Sequence, residues 1–307
     1  NIIFSTYTMS QDSDAPSGFA NSMKFICTTA ASAPSTLTAA LVQQKFEGQD
    51  VQQIQFATSG AKILTASFYV KSNQTGNIGV QLFAEDDQTM NSQLISIDTA
   101  NTWEFKTVTF AAKTSGTQIP DDNTVGFRLR FVFEYNTGRA FGTANTWAAK
   151  QTNSQLVPAG TSARTSSLND TFFLAGVQLE VGDTASDFEH RSFGDELARC
   201  QRYFYPVCPL SNSGNPVGMS YYYVSGTILG MHQFPVTMRA APTITSSDSS
   251  SHFSTRNSDT MNYLLANRVT PYLLEYYNNS QASGTALSST ISISNSNDAF
   301  IYASAEL

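Results

Sequence analysis

TVGFRLRFVFEYN, residues 124–136, decides the fold class. Val125, Phe127, Leu129, Phe131, Phe133 and Tyr135 take every second position, with Arg128, Arg130 and Glu134 on the other parity, the two-residue period of a strand with one buried face. So continuous an apolar face predicts a strand in the centre of a sheet, where each buried side chain contributes about 1.5–3 kcal/mol before conformational entropy is set against it. Working outward, KILTASFYVKS (62–72) repeats the pattern with Leu64, Ala66, Phe68 and Val70, and NIGVQLFAE (77–85) with Ile78, Val80 and Leu82. NSMKFICTT (21–29) and LTAALVQQKFEG (37–48) read as further strands, QDVQQIQFATSGAKI (49–63) as one short helical turn, and TWEFKTVTF (102–110) as a strand whose change of phase suggests a bulge.

DTFFLAGVQLEV (170–181) alternates again, with Phe173, Ala175, Val177, Leu179 and Val181 on one parity, and predicts a strand that closes a sheet. From Phe193 the period changes. In FGDELARCQRYFY (193–205), Leu197, Cys200, Gln201 and Phe204 fall three or four apart, with Asp195 and Glu196 early and Arg199 and Arg202 late, the charge order that suits a helix dipole. Beyond it, GMSYYYVSGTILGMHQF (218–234), NYLLANRVTPYLLEYYN (262–278), ALSSTISISNS (286–296) and AFIYASAEL (299–307) are short strand candidates between turn clusters. The expected fold is all-β: an N-terminal jelly-roll β-sandwich over 1–191, a short connecting helix over 192–205, and a smaller C-terminal antiparallel β-sandwich over 206–307. The connector is rich in Phe, Leu and Tyr rather than in Gly and Ser, which favours a rigid joint.

Composition bounds the function. The chain has 307 residues, 13% of them charged, with 21 Phe and 13 Tyr, a supply of rings that a disordered chain would lack. The net charge of −7 and the absence of any Lys/Arg cluster along the sequence exclude an electrostatic grip on nucleic acid. No apolar run approaches the roughly 20 residues that cross a bilayer, and no signal peptide is read. Neither membrane insertion nor nucleic acid is therefore expected. Cys27, Cys200 and Cys208 have no zinc-like spacing; they read as three buried thiols, with a Cys200–Cys208 pair left open. The sequence has no HExxH and no GxSxG, and nothing in it sets a second carboxylate opposite the acidic clusters at Glu85, Asp86 and Asp87 or at Asp121 and Asp122. No catalytic residue, cofactor or metal is assigned.

Sugar recognition asks for aromatic faces beside amide and carboxyl groups. The long loop TGRAFGTANTWAAKQTNSQLVPAGTSARTSSLN (137–169) carries such a set: Tyr135 just before it, then Arg139, Phe141, Asn145 and Trp147. Tyr221, Tyr222 and Tyr223, with Asn262, Tyr263, Tyr276 and Tyr277, form a second glycan or interface candidate. Three consecutive tyrosines in a strand cannot all point inward, so Tyr222 or its two neighbours must face outward.

LTASFYVKSNQTG, NTWEFKTVTF, FPVTMRAAPT, the terminal ASAEL and, most specifically, FFLAGVQLEVGDTASDFEHRSFGDELARCQRYFYP (172–206) together resemble tail-fibre or head-fibre proteins of tailed bacteriophages that carry a carbohydrate-binding-module-like jelly roll. The resemblance implies a non-enzymatic protein on the virion exterior, a homo-oligomer and often a trimer, that touches other virion proteins or a host-surface glycan. A purely structural fibre protein and a polysaccharide depolymerase are the rival readings. The calcium-binding version of the module brings adjacent acids on its last strand, where this chain has Ala175 and Gly176.

Overall fold

A computed structural model describes residues 5–32, 39–140, 142–150, 156–208, 216–224, 226–247, 252–255, 260–261, 265–282, 289–294 and 298–306. The chain divides into two compact units, Asn1–Glu189 and His190–Leu307. In the first, the strands are β1 (Thr6–Asp12), β2 (Ser22–Thr29), β3 (Ala39–Glu47), β4 (Leu64–Ser72), β5 (Gly76–Ala84), β6 (Thr89–Ile97), β7 (Glu104–Phe110), β8 (Val125–Tyr135), β9 (Ala148–Ala149) and β10 (Thr171–Val181). They form two sheets, ordered β1-β2-β10-β4-β7 and β3-β8-β5-β6-β9, and every pairing between these strands is antiparallel. With the edge strands β1 and β9 set aside, β2-β10-β4-β7 faces β3-β8-β5-β6, and the chain changes sheet at every connection except the β5–β6 hairpin. That order is a jelly roll.

The apolar parities explain why the sheets close. Leu64, Ala66, Phe68 and Val70 of β4 meet Ile78, Val80 and Leu82 of β5 and Phe127, Leu129, Phe131 and Phe133 of β8 in one buried cluster. Phe68 and Phe131 touch edge to face with ring centroids 4.7 Å apart, and Phe133 stacks on Phe172 at 4.9 Å, so β8 is riveted to both β4 and β10. The 3₁₀ turns Gly48–Asp50 and Gln52–Ile54 close one rim with Val51 and Ile54.

Several readings are corrected. β10 does not close a sheet but lies at the centre of one, between β2 and β4. Its pairing with β4 shifts register between Ala175 and Gln178, at Gly176 with φ +56°, where a Cβ would come 2.6 Å from the Phe19 ring. The bulge breaks the parity: Phe172 and Leu174 reach the core before it and Leu179 after it, whereas Val177 within it is exposed, as is Val181 at the strand end. β7 pairs with β4 in unbroken register, so the expected bulge in 102–110 is absent. β1 had no apolar alternation to announce it, and is held by polar contacts: the Tyr7 hydroxyl donates to the buried Glu134 carboxylate, and Ser5 Oγ donates to Glu134 Oε1 at 2.9 Å.

In the second unit, α1 (Phe193–Gln201) starts at Ser192, whose Oγ accepts from the Asp195 amide, with Asp195 and Glu196 in the first turn and Arg199 in the last. Then come β11 (Phe204–Cys208), β12 (Pro216–Val224), β13 (Gly226–Gln233), β14 (Thr243–Ser246), β15 (Phe253–Thr255), β16 (Thr260–Met261), β17 (Leu265–Val269), β18 (Leu273–Ala282), β19 (Ser289–Ser294) and β20 (Ile301–Ser304). A three-stranded sheet, β11-β20-β14, packs Val207, Ile301 and Ala303 against Tyr222, Ile228, Phe253 and Tyr276 of a seven-stranded sheet, β16-β15-β19-β12-β13-β18-β17. Cys27 and Cys208 are buried, but Cys200 is exposed on α1, and all three are free thiols, which corrects the expectation of three buried ones and excludes the Cys200–Cys208 pair.

Three substitutions check this packing by urea unfolding. Phe131→Ala, which empties the contact between the two sheets, should cost about 3–5 kcal/mol. Tyr222→Ala in the second core should cost a comparable amount, whereas Tyr223→Ala on the exposed side of the same strand should stay within about 0.5 kcal/mol.

Candidate functional site

The jelly roll covers one face of the β3-β8-β5-β6-β9 sheet, and the segment after β8 covers part of the other. Asn136 Oδ1 accepts from the Thr137 amide and starts a 3₁₀ turn, Thr137–Arg139. The Arg139 carbonyl then takes the amides of Leu156 and Val157 at 2.8 and 3.2 Å, and Tyr135 and Arg164 exchange both main-chain hydrogen bonds at 2.8 Å. Leu156 and Val157 are thereby pressed onto Val132 and Tyr135, a small second core on the outside of the sheet, flanked by Leu41 and Leu94. Gly79 makes this possible. A Cβ there would lie 2.6 Å from Val157 Cγ1 and 3.1 Å from the Leu156 carbonyl.

Arg164 is the clamp. Its Nε donates to the Phe133 carbonyl at 3.0 Å, and its Nη atoms donate to the Thr75 and Gln74 carbonyls at 3.0 and 3.2 Å. Burial pushes this guanidinium below its ordinary pKa, with partial compensation from the nearby Tyr135, Asp170 and Tyr7. Between the clamped segment and the end of the β5–β6 hairpin opens a groove of about 840 Å³, whose walls include Gly76, Asn77, Leu94, Ser162 and Thr165. The Asn77 amide and the hydroxyls of Thr75, Ser162 and Thr165 make no hydrogen bond to other described residues, so they are available to a polar ligand.

The first sequence-derived set divides on this scaffold. Tyr135 belongs to the wall of the groove, but its ring is 1% exposed, its hydroxyl donates to the Asn77 carbonyl at 3.1 Å, and burial raises its pKa. It sits in the small outer core rather than, as its parity suggested, in the main one. Trp147 turns away from solvent: its indole N–H donates to the Ala111 carbonyl at 2.7 Å and its ring meets Phe56 edge to face at 5.0 Å. Asn145, at φ +55°, uses its Oδ1 to accept from the Ala111 amide at 2.8 Å, beside the groove-lining Ala144. Arg139 contributes its carbonyl to the fold, and burial lowers its pKa. Phe141 lies outside the described residues. No open aromatic platform is thus presented by Tyr135 or Trp147.

In the second set, Tyr222 and Tyr276 are buried while Tyr223, Met219 and Met231 are exposed, and Tyr221 and Tyr277 lie half-buried as the Cα partners on either side of Leu229. Asn262 and Tyr263 lie outside the described residues. The acidic loops at 85–87 and 121–122 come close enough for Asp122 to repel Asp86. Asp87 is partly buried, which would raise its pKa, but hydrogen bonds from Thr89 and Thr117 and the charge of Lys113 hold it below its ordinary value. Burial raises Asp86, with repulsion from Asp122 and Glu85 adding to it. Among the described residues no group of three His, Cys, Asp or Glu side chains could hold a metal ion, and no helix is long and apolar enough to cross a membrane.

No family model and no curated protein matches the chain. Solved structures similar to it include the enzymatically active domain of bacteriophage CBA120 tailspike protein 4, at 12% identity and a TM-score of 0.31, over 58% of this chain and 18% of that one. They also include a family 16 carbohydrate-binding module, at 14% and 0.28 over 57% and 86%, and the tandem CBM22 domains of Paenibacillus barcinonensis Xyn10C, at 8% and 0.29 over 99% and 93%. Likenesses this low bear on neither fold nor function, and the jelly roll rests on strand order.

Gly79→Val should drive the Leu156–Arg164 segment off the sheet. The expected cost is about 1–3 kcal/mol, and hydrogen exchange should show lost protection at the Leu156, Val157 and Arg164 amides, with the β4 amides unchanged.

Proposed function

We propose that this chain is a non-enzymatic adhesion protein of a phage particle, a tail-fibre or head-fibre component, whose jelly roll takes a host-surface glycan. The observation that carries the reading is the groove beside the Arg164 clamp. It is roomy, it is walled by main chain, amide and hydroxyl groups with unused hydrogen-bonding capacity, and a saccharide presents the complementary array of hydroxyls. Recognition there would run through hydrogen bonds more than ring stacking, because Tyr135 and Trp147 are committed to packing. The virion location and the homotrimer rest on the resemblance of the 172–206 segment. The same resemblance implies other virion proteins as partners.

Purified full-length protein on an array of host-surface glycans should retain particular saccharides. Ser162→Trp, which fills the groove from an exposed position, should abolish that retention without lowering the melting temperature. Incubation with host polysaccharide should release no new reducing ends, and light scattering should count three chains. Uniform absence of glycan binding by a well-folded oligomer would favour the purely structural reading, and released fragments the depolymerase.

A further inference from the structure

At the other end of the same outer face lies a smaller pocket of about 220 Å³, lined by Phe83, Glu85, Met90, Arg128, Arg130 and Lys150. Three cations converge on one ring: the guanidinium carbons of Arg130 and Arg128 and the Lys150 ammonium stand 4.8, 5.8 and 5.4 Å from the Phe83 centroid. Phe83 itself is 2% exposed, so it is a floor beneath the charges and not a surface for a sugar to stack on. Register sets the arrangement. Arg128 pairs across the sheet with Phe83 and with Lys45, and Arg130 with Gln81 and Gln43, all on the parity that faces away from the sandwich core.

The charges are not balanced. Elsewhere in this unit Lys24, Lys71, Lys106 and Lys113 each sit on a carboxylate, at 2.8, 2.6, 2.6 and 3.3 Å. Arg130 instead donates to two neutral amides, Gln43 Oε1 at 3.1 Å and Gln81 Oε1 at 2.8 Å, and Lys150 to Gln88 Oε1 at 3.2 Å. Glu85 approaches Arg128 Nε to 2.7 Å, but from a direction that leaves both atoms without a well-aligned hydrogen bond. Burial, and after it repulsion from Arg128, lowers the Arg130 pKa to about 10, a cost that a bound anion would relieve. A protein of net charge −7 thus keeps a fixed cationic pocket with one carboxylate against three cations.

We infer that this pocket binds the acid group of an anionic saccharide, a uronate carboxylate or a sulfate ester, held by Arg130 and Lys150 with Arg128 at the rim. A planar or tetrahedral oxyanion can accept from a guanidinium fork and an ammonium together, and the pocket admits little more than the acid-bearing residue. The saccharide identity rests on the glycan reading above; the preference for an anion does not.

Isothermal titration of the full chain with D-glucuronate, glucose 6-sulfate, D-glucose and inorganic sulfate tests it. The two acidic sugars should bind saturably and more weakly as salt is raised, glucose should not bind at this site, and inorganic sulfate should bind less tightly than either acidic sugar. Lys150→Glu, at an exposed position, should weaken glucuronate about tenfold, the loss of one charge-assisted contact. Arg130→Met should do at least as much, and if it fails to fold, Lys150→Glu decides alone. Absence of acidic-sugar binding, equal affinity for glucose or for inorganic sulfate, or indifference to Lys150→Glu would overturn the assignment. Neutral glycans retained in the groove while glucuronate never binds would sink this pocket and leave the groove standing; glucuronate binding lost in Lys150→Glu beside a blank neutral array would do the reverse.

Discussion

A strand has two faces, and the sandwich hides only one of those of β8. Phe127, Leu129, Phe131 and Phe133 satisfy the inward face by meeting β4 and β10, which fixes the jelly roll. The outward face carries Arg128, Arg130, Val132 and, past the register shift, Tyr135, whereas the same shift turns Glu134 inward opposite Ala40. Inside the sandwich Glu134 takes hydrogen bonds from Tyr7 and Ser5; outside, Val132 and Tyr135 are buried under Leu156 and Val157, and the two arginines stay half-open around Phe83. Both candidate sites therefore follow from how one outer face is divided. Close approach at Gly79 lets the returning segment cover the middle, and what it leaves uncovered becomes a groove at one end and a cationic pocket at the other.

Much of this division could be read from residues and much could not. Strict alternation in 124–136 and 62–72 was enough to place β8 and β4, because large apolar side chains at every second position share one buried face only when the backbone is extended. The helix at 193–201 was legible from its change of period and its charge order, to which the structure adds the Ser192 cap. Parity failed where the backbone departs from a regular strand. At Gly176 the bulge turned Val177 outward and put Phe172 and Leu174, rather than Phe173 and Ala175, in the core cluster, and near Tyr135 a shift of register against β3 moved the last ring into a different core.

The site was less legible than the fold for a related reason. Aromatic residues in a long loop look like ligand platforms, but a loop that folds back on a sheet spends its rings on its own anchorage, as Trp147 does against Phe56 and Phe127. The groups left open are short and polar, Thr75, Asn77, Ser162 and Thr165, and such residues are too common in this sequence to stand out. The long loop 137–169 supplies one wall of the groove, and Thr75 with the start of β5 the other. Their meeting depends on the guanidinium of Arg164 reaching across to the carbonyls of Gln74 and Thr75, a contact about ninety residues distant in sequence.

Electrostatics sets the terms on which the outer face can work. With a net charge of −7 the whole chain does not draw anions in from a distance, and at physiological salt its field fades over about 8 Å. Attraction must then be local, which requires cations that are held in place and not already neutralised. The β-sheet supplies the first condition, since Arg128 and Arg130 are two residues apart on one strand and so share a face. Neutral partners supply the second: Gln43 and Gln81 hold the Arg130 fork without cancelling its charge, as a carboxylate at either position would. An amide in place of an acid thus keeps a half-buried guanidinium both ordered and hungry for an anion, and it does so in a unit where Lys24, Lys71, Lys106 and Lys113 have been silenced by aspartate and glutamate.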